Sequence, residues 1–363
     1  MKTIIIWFAL SLILTNLVFE QKNVNIQNRL ETISNKYWIS YNDYKFGDYL
    51  ISKTASRNIS HIKTDSVGAK ILVFTDIDSL SFNLYPYDTI YLNITSKKEL
   101  NSKVLKVIGL PKKTPKQQLT FLNKSSIRIP DFQLPPIDEK YLLILKDTYK
   151  LKSIIAGAKS DIEKLNLVTS WVHNQWNHDG GNMPSKPNAL TILSEAREGK
   201  HFRCVEYSIV ISEIMQALGY KSRVLGLKRK ECETLLTSAG HAVAEVFLPE
   251  LNKWVFADGQ FNAIPFLFNI PLNAVEFQEA LNKAPLKIKF GYETTLTQTK
   301  DYLEWVYPYL YFFDYRVQYK KANIEHNSLM LVPLKSKKPK YFQKKWGVGQ
   351  CLYTNNLKAF YPK

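Results

Sequence analysis

A chain of 363 residues, 45% of them apolar and 13% aromatic, can bury proper cores in about two or three domains, which excludes a disordered chain. Its 49 Lys and Arg against 32 Asp and Glu leave a net charge of +17, which fits anionic surfaces, wall polymers or nucleic acid, or a plain bias toward Lys, Asn, Ile and Tyr. No basic helix or RNA-binding motif accompanies the charge, so the compositional reading is preferred and no nucleic-acid partner is expected.

Met1-Lys2 and the apolar run from Ile4 to Phe19 read as a secretory signal peptide over residues 1–20, with an uncleaved anchor as the alternative. The expected location is therefore secreted, periplasmic or at the cell surface. No later stretch is apolar enough to span a bilayer, so no membrane contact is expected beyond that signal. Residues 21–129 alternate in short stretches. Strands are expected at Ala69–Phe74, Leu80–Leu84 and Thr89–Ile94, with Tyr85-Pro86-Tyr87-Asp88 as a turn. This predicts a β-rich N-terminal domain that supports the rest, or else binds or spaces. The proline-bearing residues 130–137 predict a linker.

Residues 138–285 carry the chemistry. Helical spacing predicts helices over Asp138–Leu151 and from Asp161 onward, where Ile162, Leu165, Val168, Trp171 and Val172 share a face. Asp138 and Asp161 are the expected N-caps. A short helix over Asn188–Gly199 leads into Gly199-Lys200-His201-Phe202-Arg203-Cys204, with Gly199 at a sharp turn. Val205, Ile209, Val210, Ile214 and Leu218 then recur at helical spacing up to the stop at Gly219. Cys204 thus opens a helix, where free N–H groups and the helix dipole favour an anion and could hold an oxyanion. A buried, inert cysteine is the bland alternative.

His241-Ala242-Val243-Ala244-Glu245-Val246-Phe247 and Lys253-Trp254-Val255-Phe256-Ala257-Asp258 suit two strands, apolar on both faces, around a turn at Pro249–Asn252. Pairing Val243 with Phe256 would set His241 opposite Asp258 on one face, where a carboxylate can hold an imidazole nitrogen. A nucleophile, its base and the group orienting that base are then all present.

This order of residues resembles the transglutaminase-like superfamily. The shared pattern is a Cys opening a helix shortly after a Gly, then Gly-x-x-x-Arg-x-x-Gly, then a His-Ala-x-x-Glu-Val strand and an Asp ending the next. Here the matches are Cys204, Gly219, Arg223, Gly226, His241, Glu245 and Asp258. The resemblance implies an α+β fold with a papain-like core, Cys204 as nucleophile, His241 as general base and acid, and Asp258 as orienter. Arg203-Cys204-Val205-Glu206-Tyr207 is also similar to peptide N-glycanases of that superfamily. Two departures leave the substrate open: Val243 stands where Trp is often found, and the zinc-binding Cys pairs of eukaryotic peptide N-glycanases are absent. The resemblance also implies that Trp171–Gly181 lines the cleft, with Gln175 or Trp176 as a side-chain donor to the oxyanion. His178, Asp179 and His201 are then polar cleft residues. His173 and His178, five apart, do not share a helix face well, so no metal site is expected.

Arg223 is expected to pair with a core carboxylate such as Glu206 or Glu245. Residues 286–363 are read as a C-terminal α/β extension packed on the core. A helix is expected from Asn273 to Leu281 and a strand over Ser328–Pro333. Tyr302, Trp305, Tyr307, Tyr309, Tyr311, Phe312, Phe313 and Tyr315 form an aromatic run, read first as packing and second as a sugar platform. Lys335–Lys340 is a solvated basic loop. Cys232 and Cys351 could pair as a disulfide or stand as two thiols.

Together these features predict an exported cysteine enzyme that attacks amide or carboxamide bonds through a thioester, by hydrolysis rather than cross-linking. No cofactor is expected. The expected substrate is a protein, peptide or glycopeptide, with a cell-wall polymer as a further candidate. The rival is a non-enzymatic envelope or glycan-binding scaffold that keeps the fold.

Overall fold

The strand Ala69–Thr75 shows why its sequence alternates: Ala69, Ile71 and Val73 are buried, while Lys70 between them is exposed. The computed structural model describes residues 23–41, 44–50, 57–64, 69–85, 88–98, 102–111, 117–124, 138–235, 238–291, 296–321, 324–344, 346–348 and 350–362. The expected signal peptide and linker lie outside these residues. In the N-terminal unit the strands are β1 (Asn23–Thr32), β2 (Lys36–Tyr41), β3 (Tyr44–Leu50), β4 (Arg57–Thr64), β5 (Ala69–Thr75), β6 (Ser79–Leu84), β7 (Thr89–Ser96) and β8 (Ser102–Pro111). They form two four-stranded sheets, β1-β7-β8-β4 and β3-β2-β5-β6. Leu30, Tyr37, Ile39, Ile71, Leu92 and Val107 from both sheets share one core, so the unit is a sandwich.

Five helices follow: α1 (Glu139–Thr148), α2 (Leu151–Ile154), α3 (Asp161–His173), α4 (Ala189–Arg197) and α5 (Cys204–Ala217). Asp138 caps α1, accepting from the Lys140 N–H at 3.0 Å. The helix expected to reach Leu151 stops earlier, because Lys150 turns left-handed at φ 49° and the chain restarts as α2. Asp161 is not a cap. Ser160 caps α3, and Asp161 turns inward, where its carboxylate accepts from Tyr220 Oη at 2.5 Å and Lys164 Nζ at 3.2 Å. A serine one residue earlier frees the aspartate for these stronger partners.

The central sheet carries β9 (Ser222–Lys228), β10 (Gly240–Leu248) and β11 (Lys253–Ala257). After it come β12 (Pro265–Leu267), β13 (Ile270–Pro271), α6 (Ala274–Lys283), β14 (Ile288–Phe290), α7 (Leu296–Val306), β15 (Phe312–Lys321), β16 (Ile324–Leu331), β17 (Tyr341–Phe342), β18 (Trp346–Gly347) and β19 (Cys351–Thr354). The sheet runs β11-β10-β9-β15-β16-β19. The C-terminal segment therefore does more than pack on the core: it supplies half of the core's own sheet. One face of β10, through Ala244 and Val246, packs on α5 with Val210, Ile211 and Ile214. The other, through Val243, packs with Phe277 of α6 and Val306 of α7. Burial on both sides is why these strands read as continuous apolar runs. The fold is α+β, with a β-rich N-terminal region ahead of this layered core. No helix among the described residues is long and apolar enough to cross a membrane.

The β10–β11 register differs from expectation. Phe256 faces Glu245 rather than Val243, and Leu248 faces Lys253. The expected register needs a two-residue loop of Pro249 and Glu250. Such hairpin turns place φ > 0 at the first position, which the proline ring forbids. The chain instead takes a four-residue loop, a 3₁₀ turn over Pro249–Leu251 closed by Asn252 at φ 49°.

Candidate active site

The register moves by two residues, so every side chain keeps its face. His241 and Asp258 are then diagonal rather than opposite, still within side-chain reach. His241 Nε2 lies 2.7 Å from Asp258 Oδ2. Both side chains are buried. Cys204 is the second group whose interaction with the imidazole favours its charged form. Burial alone would push the imidazole's pKa down. The adjoining Asp258 carboxylate, with Cys204, more than offsets this and raises it to about 10.

Asp258 is fixed from four directions. Its Oδ1 accepts from the N–H groups of Gln260 and Phe261 at 3.0 and 3.3 Å. Its Oδ2 accepts from Tyr302 Oη at 2.8 Å as well as from His241. Its backbone exchanges two hydrogen bonds with Ala263, each 2.9 Å. Gly259 then passes so close to α5 that a Cβ built there would stand 2.8 Å from Ile211 Cδ1. His173 Nδ1 donates to the Gly259 carbonyl at 3.0 Å, tying the same turn to α3.

Cys204 is the first residue of α5 and is partly exposed. Gly199, at φ 88°, makes the turn that leads into it. Glu206 is buried and draws the cap together: its Oε2 accepts from the Arg203 N–H at 3.1 Å, and its Oε1 pairs with the Arg203 guanidinium at 2.6 Å. The N–H groups of Cys204 and Val205 have no acceptor within the helix.

Residues 149–259 match the transglutaminase-like superfamily. This segment is a transglutaminase-like core. No curated protein matches the chain. Similar solved structures include a Cytophaga hutchinsonii protein provisionally named a cysteine protease, at 12% identity over 62% of this chain and 65% of that one, with TM-score 0.28. Another is named a TGase, at 13% identity over 44% of this chain and 62% of that one, with TM-score 0.19. Red sea bream transglutaminase matches at 10% identity over 67% of this chain and 43% of its own, with TM-score 0.26. The chain spans less than two thirds of the length of each of these three.

The transglutaminase-like core brings Cys204, His241 and Asp258 together, with Trp176 close by. Trp176 packs on Phe202 and Tyr207, which flank the cysteine, at centroid distances of 5.8 and 4.3 Å. Its Nε1 is buried with no hydrogen-bond partner among the described residues. Gln175 is otherwise engaged: its side-chain amide donates to the Trp171 carbonyl at 2.8 Å. His178 bridges to Phe202 in the loop before Cys204, and His201 Nδ1 accepts from the Asn177 N–H at 3.1 Å. Asp179 accepts from Lys36 Nζ at 3.1 Å, a link to the N-terminal sandwich. Of the two carboxylates offered to Arg223, Glu245 takes it at 2.6 Å, while Glu206 holds Arg203.

Sequence reasoning missed the wall over His241. Trp305 stands edge-on to His241 at 4.9 Å, and Tyr309 and Phe261 lie at 6.1 and 6.2 Å. Tyr302, Trp305 and Tyr309 recur at i, i+3 and i+7, the spacing of one helix face, and that was the available signal. The aromatic run therefore packs, as expected, but part of it packs on the site.

Proposed function

We propose that the chain is a cysteine enzyme that cleaves amide or carboxamide bonds by acyl transfer to water. The observation that carries this reading is one buried imidazole hydrogen-bonded to Asp258, its charged form favoured by both Asp258 and Cys204, with Cys204 at the first position of α5. Cys204 Sγ attacks the carbonyl carbon, and the amine leaves with a proton from the His241 imidazolium, giving a thioester. Water then adds with His241 as base, and the acid departs as the thiol is restored. Asp258 holds the ring orientation through both steps. The oxyanion is met by the Cys204 N–H at the start of α5 and by Trp176 Nε1, a buried donor otherwise without an acceptor.

Hydrolysis is favoured over cross-linking because an exported chain, as the N-terminal apolar run suggests, works in excess water. The substrate class that fits is a peptide, protein or glycopeptide. The test is alkylation of Cys204 by iodoacetamide at neutral pH, mapped by mass spectrometry in wild type, His241→Ala and Cys204→Ser. Fast labelling that depends on His241 supports the reading. Slow labelling that ignores His241 refutes it and favours a binding scaffold. Ammonia release from glutaminyl peptides, against incorporation of a fluorescent amine, then separates hydrolysis from cross-linking.

A further inference from the structure

Arg229 directly follows β9, at the end of the sheet where His241 opens β10. Its N–H donates to the Ala239 carbonyl at 2.9 Å, which pins its backbone beside Gly240 and His241. The preceding residue, Lys228, is neutralised by Asp314. Arg229 has no such carboxylate among the described residues, and its Nε is buried with no hydrogen-bond partner. Its guanidinium lies 5.9 Å from the Tyr309 ring centroid. That ring is in turn 6.1 Å from His241 and 5.0 Å from Trp305. A half-buried guanidinium thus sits one aromatic ring away from the reacting imidazole, uncompensated by any fixed anion among the described residues.

Buried donors in folded proteins are almost always paired, and the exceptions call for a cause. A guanidinium presents a planar fork that matches a carboxylate in two parallel hydrogen bonds. We propose that Arg229 forms an anion subsite of the cleft, which takes a carboxylate of the substrate near the amide that Cys204 attacks. The carboxylate has two possible sources, a peptide's C-terminus or an acidic side chain. The inference rests on Cys204 and His241 as the reacting pair, and it specifies what they act upon.

The test uses three alkylating probes of similar size: iodoacetyl-glycine with a free carboxylate, iodoacetyl-glycinamide, and iodoacetyl-glutamic acid α-amide. Rates of Cys204 labelling are measured in wild type, Arg229→Gln and Arg229→Lys. In wild type at least one acidic probe should react about 10-fold faster than the neutral one, the size of one charge-assisted hydrogen bond. The faster of the two acidic probes identifies the source. Arg229→Gln should erase that preference while leaving the neutral probe's rate unchanged, which also shows that the variant is folded. Arg229→Lys should restore part of it. If the preference is absent, or survives in Arg229→Gln because His241 alone attracts the anion, the subsite is overturned and the nucleophile stands. If the neutral probe does not label Cys204 at all, the nucleophile falls and the subsite falls with it.

Discussion

Glu245→Gln tests whether the sheet that carries His241 is held by a buried charge pair. Arg223 and Glu245 face each other across β9 and β10, with side chains 2% and 0% exposed. Glu245 Oε2 accepts from Arg223 Nε at 3.1 Å and Nη2 at 2.6 Å, and Oε1 accepts from the Ala274 N–H at 3.0 Å and Tyr361 Oη at 3.1 Å. Trp254, Tyr315, Phe360 and Tyr361 surround the guanidinium at 3.9 to 5.0 Å. The glutamine keeps the shape, but its amide nitrogen cannot accept, so the bonds to one oxygen are lost and a cation is stranded where water cannot reach it. Breaking a buried pair in this way costs about 3–5 kcal/mol. The four rings soften that cost, so the lower end is expected, with a melting temperature lower by roughly 6 °C or more. Urea unfolding followed by circular dichroism gives the free energy. A double variant, Arg223→Met with Glu245→Leu, removes both charges and should be more stable than Glu245→Gln. If Glu245→Gln falls within about 1 kcal/mol of wild type, or the double variant costs the sum of the two single changes, the buried-charge argument is wrong.

Asp258→Asn should slow Cys204 alkylation at neutral pH by 10-fold or more, roughly the loss expected when an orienting carboxylate is removed, with an unchanged circular dichroism spectrum. His241 links stability to pH: its folded pKa, about 10, lies above the ordinary 6.5. Its contribution is therefore complete below about pH 6.5 and disappears as pH rises toward 10, so wild-type melting temperature should fall across that window more steeply than that of His241→Asn. Gly259→Ala places a Cβ 2.8 Å from Ile211 Cδ1 and 3.0 Å from Tyr207 Cβ. It should destabilise by about 1–3 kcal/mol and slow Cys204 labelling, because the turn that carries Asp258 is pushed off α5.

The order Cys204, His241, Asp258 was legible because each residue ends or opens an element, and such ends are readable from periodicity and from Gly219 and Pro249. The strands β5, β6 and β7 were legible from alternation. What escaped was set by tertiary contact. Whether Ser160 or Asp161 caps α3 depends on Tyr220, 59 residues away from Asp161. The register of β10 on β11 was readable in principle, since Pro249 excludes the shorter loop, but strand pattern alone leaves two registers that bury the same faces. Tyr302 could not be assigned to Asp258 from sequence alone, because its hydrogen bond spans 44 residues and depends on how α7 crosses the sheet. Arg229 looked like one more charge in a basic chain, and only its missing partner sets it apart.

Because β15 pairs directly with β9, the order of synthesis matters. Cys204, His241 and Asp258 all leave the ribosome before Tyr302, Trp305 and the strand Phe312–Lys321 exist. Until then β9 ends the sheet with a bare row of N–H and C=O groups from Leu225 to Lys228, open to any extended chain nearby. A fragment trimmed to residues 149–259 would freeze the protein at that stage, with Cys204 present, Asp258 lacking one of its donors and the edge free to aggregate. The residues from Tyr302 onward thus finish both the sheet and the aromatic wall over His241.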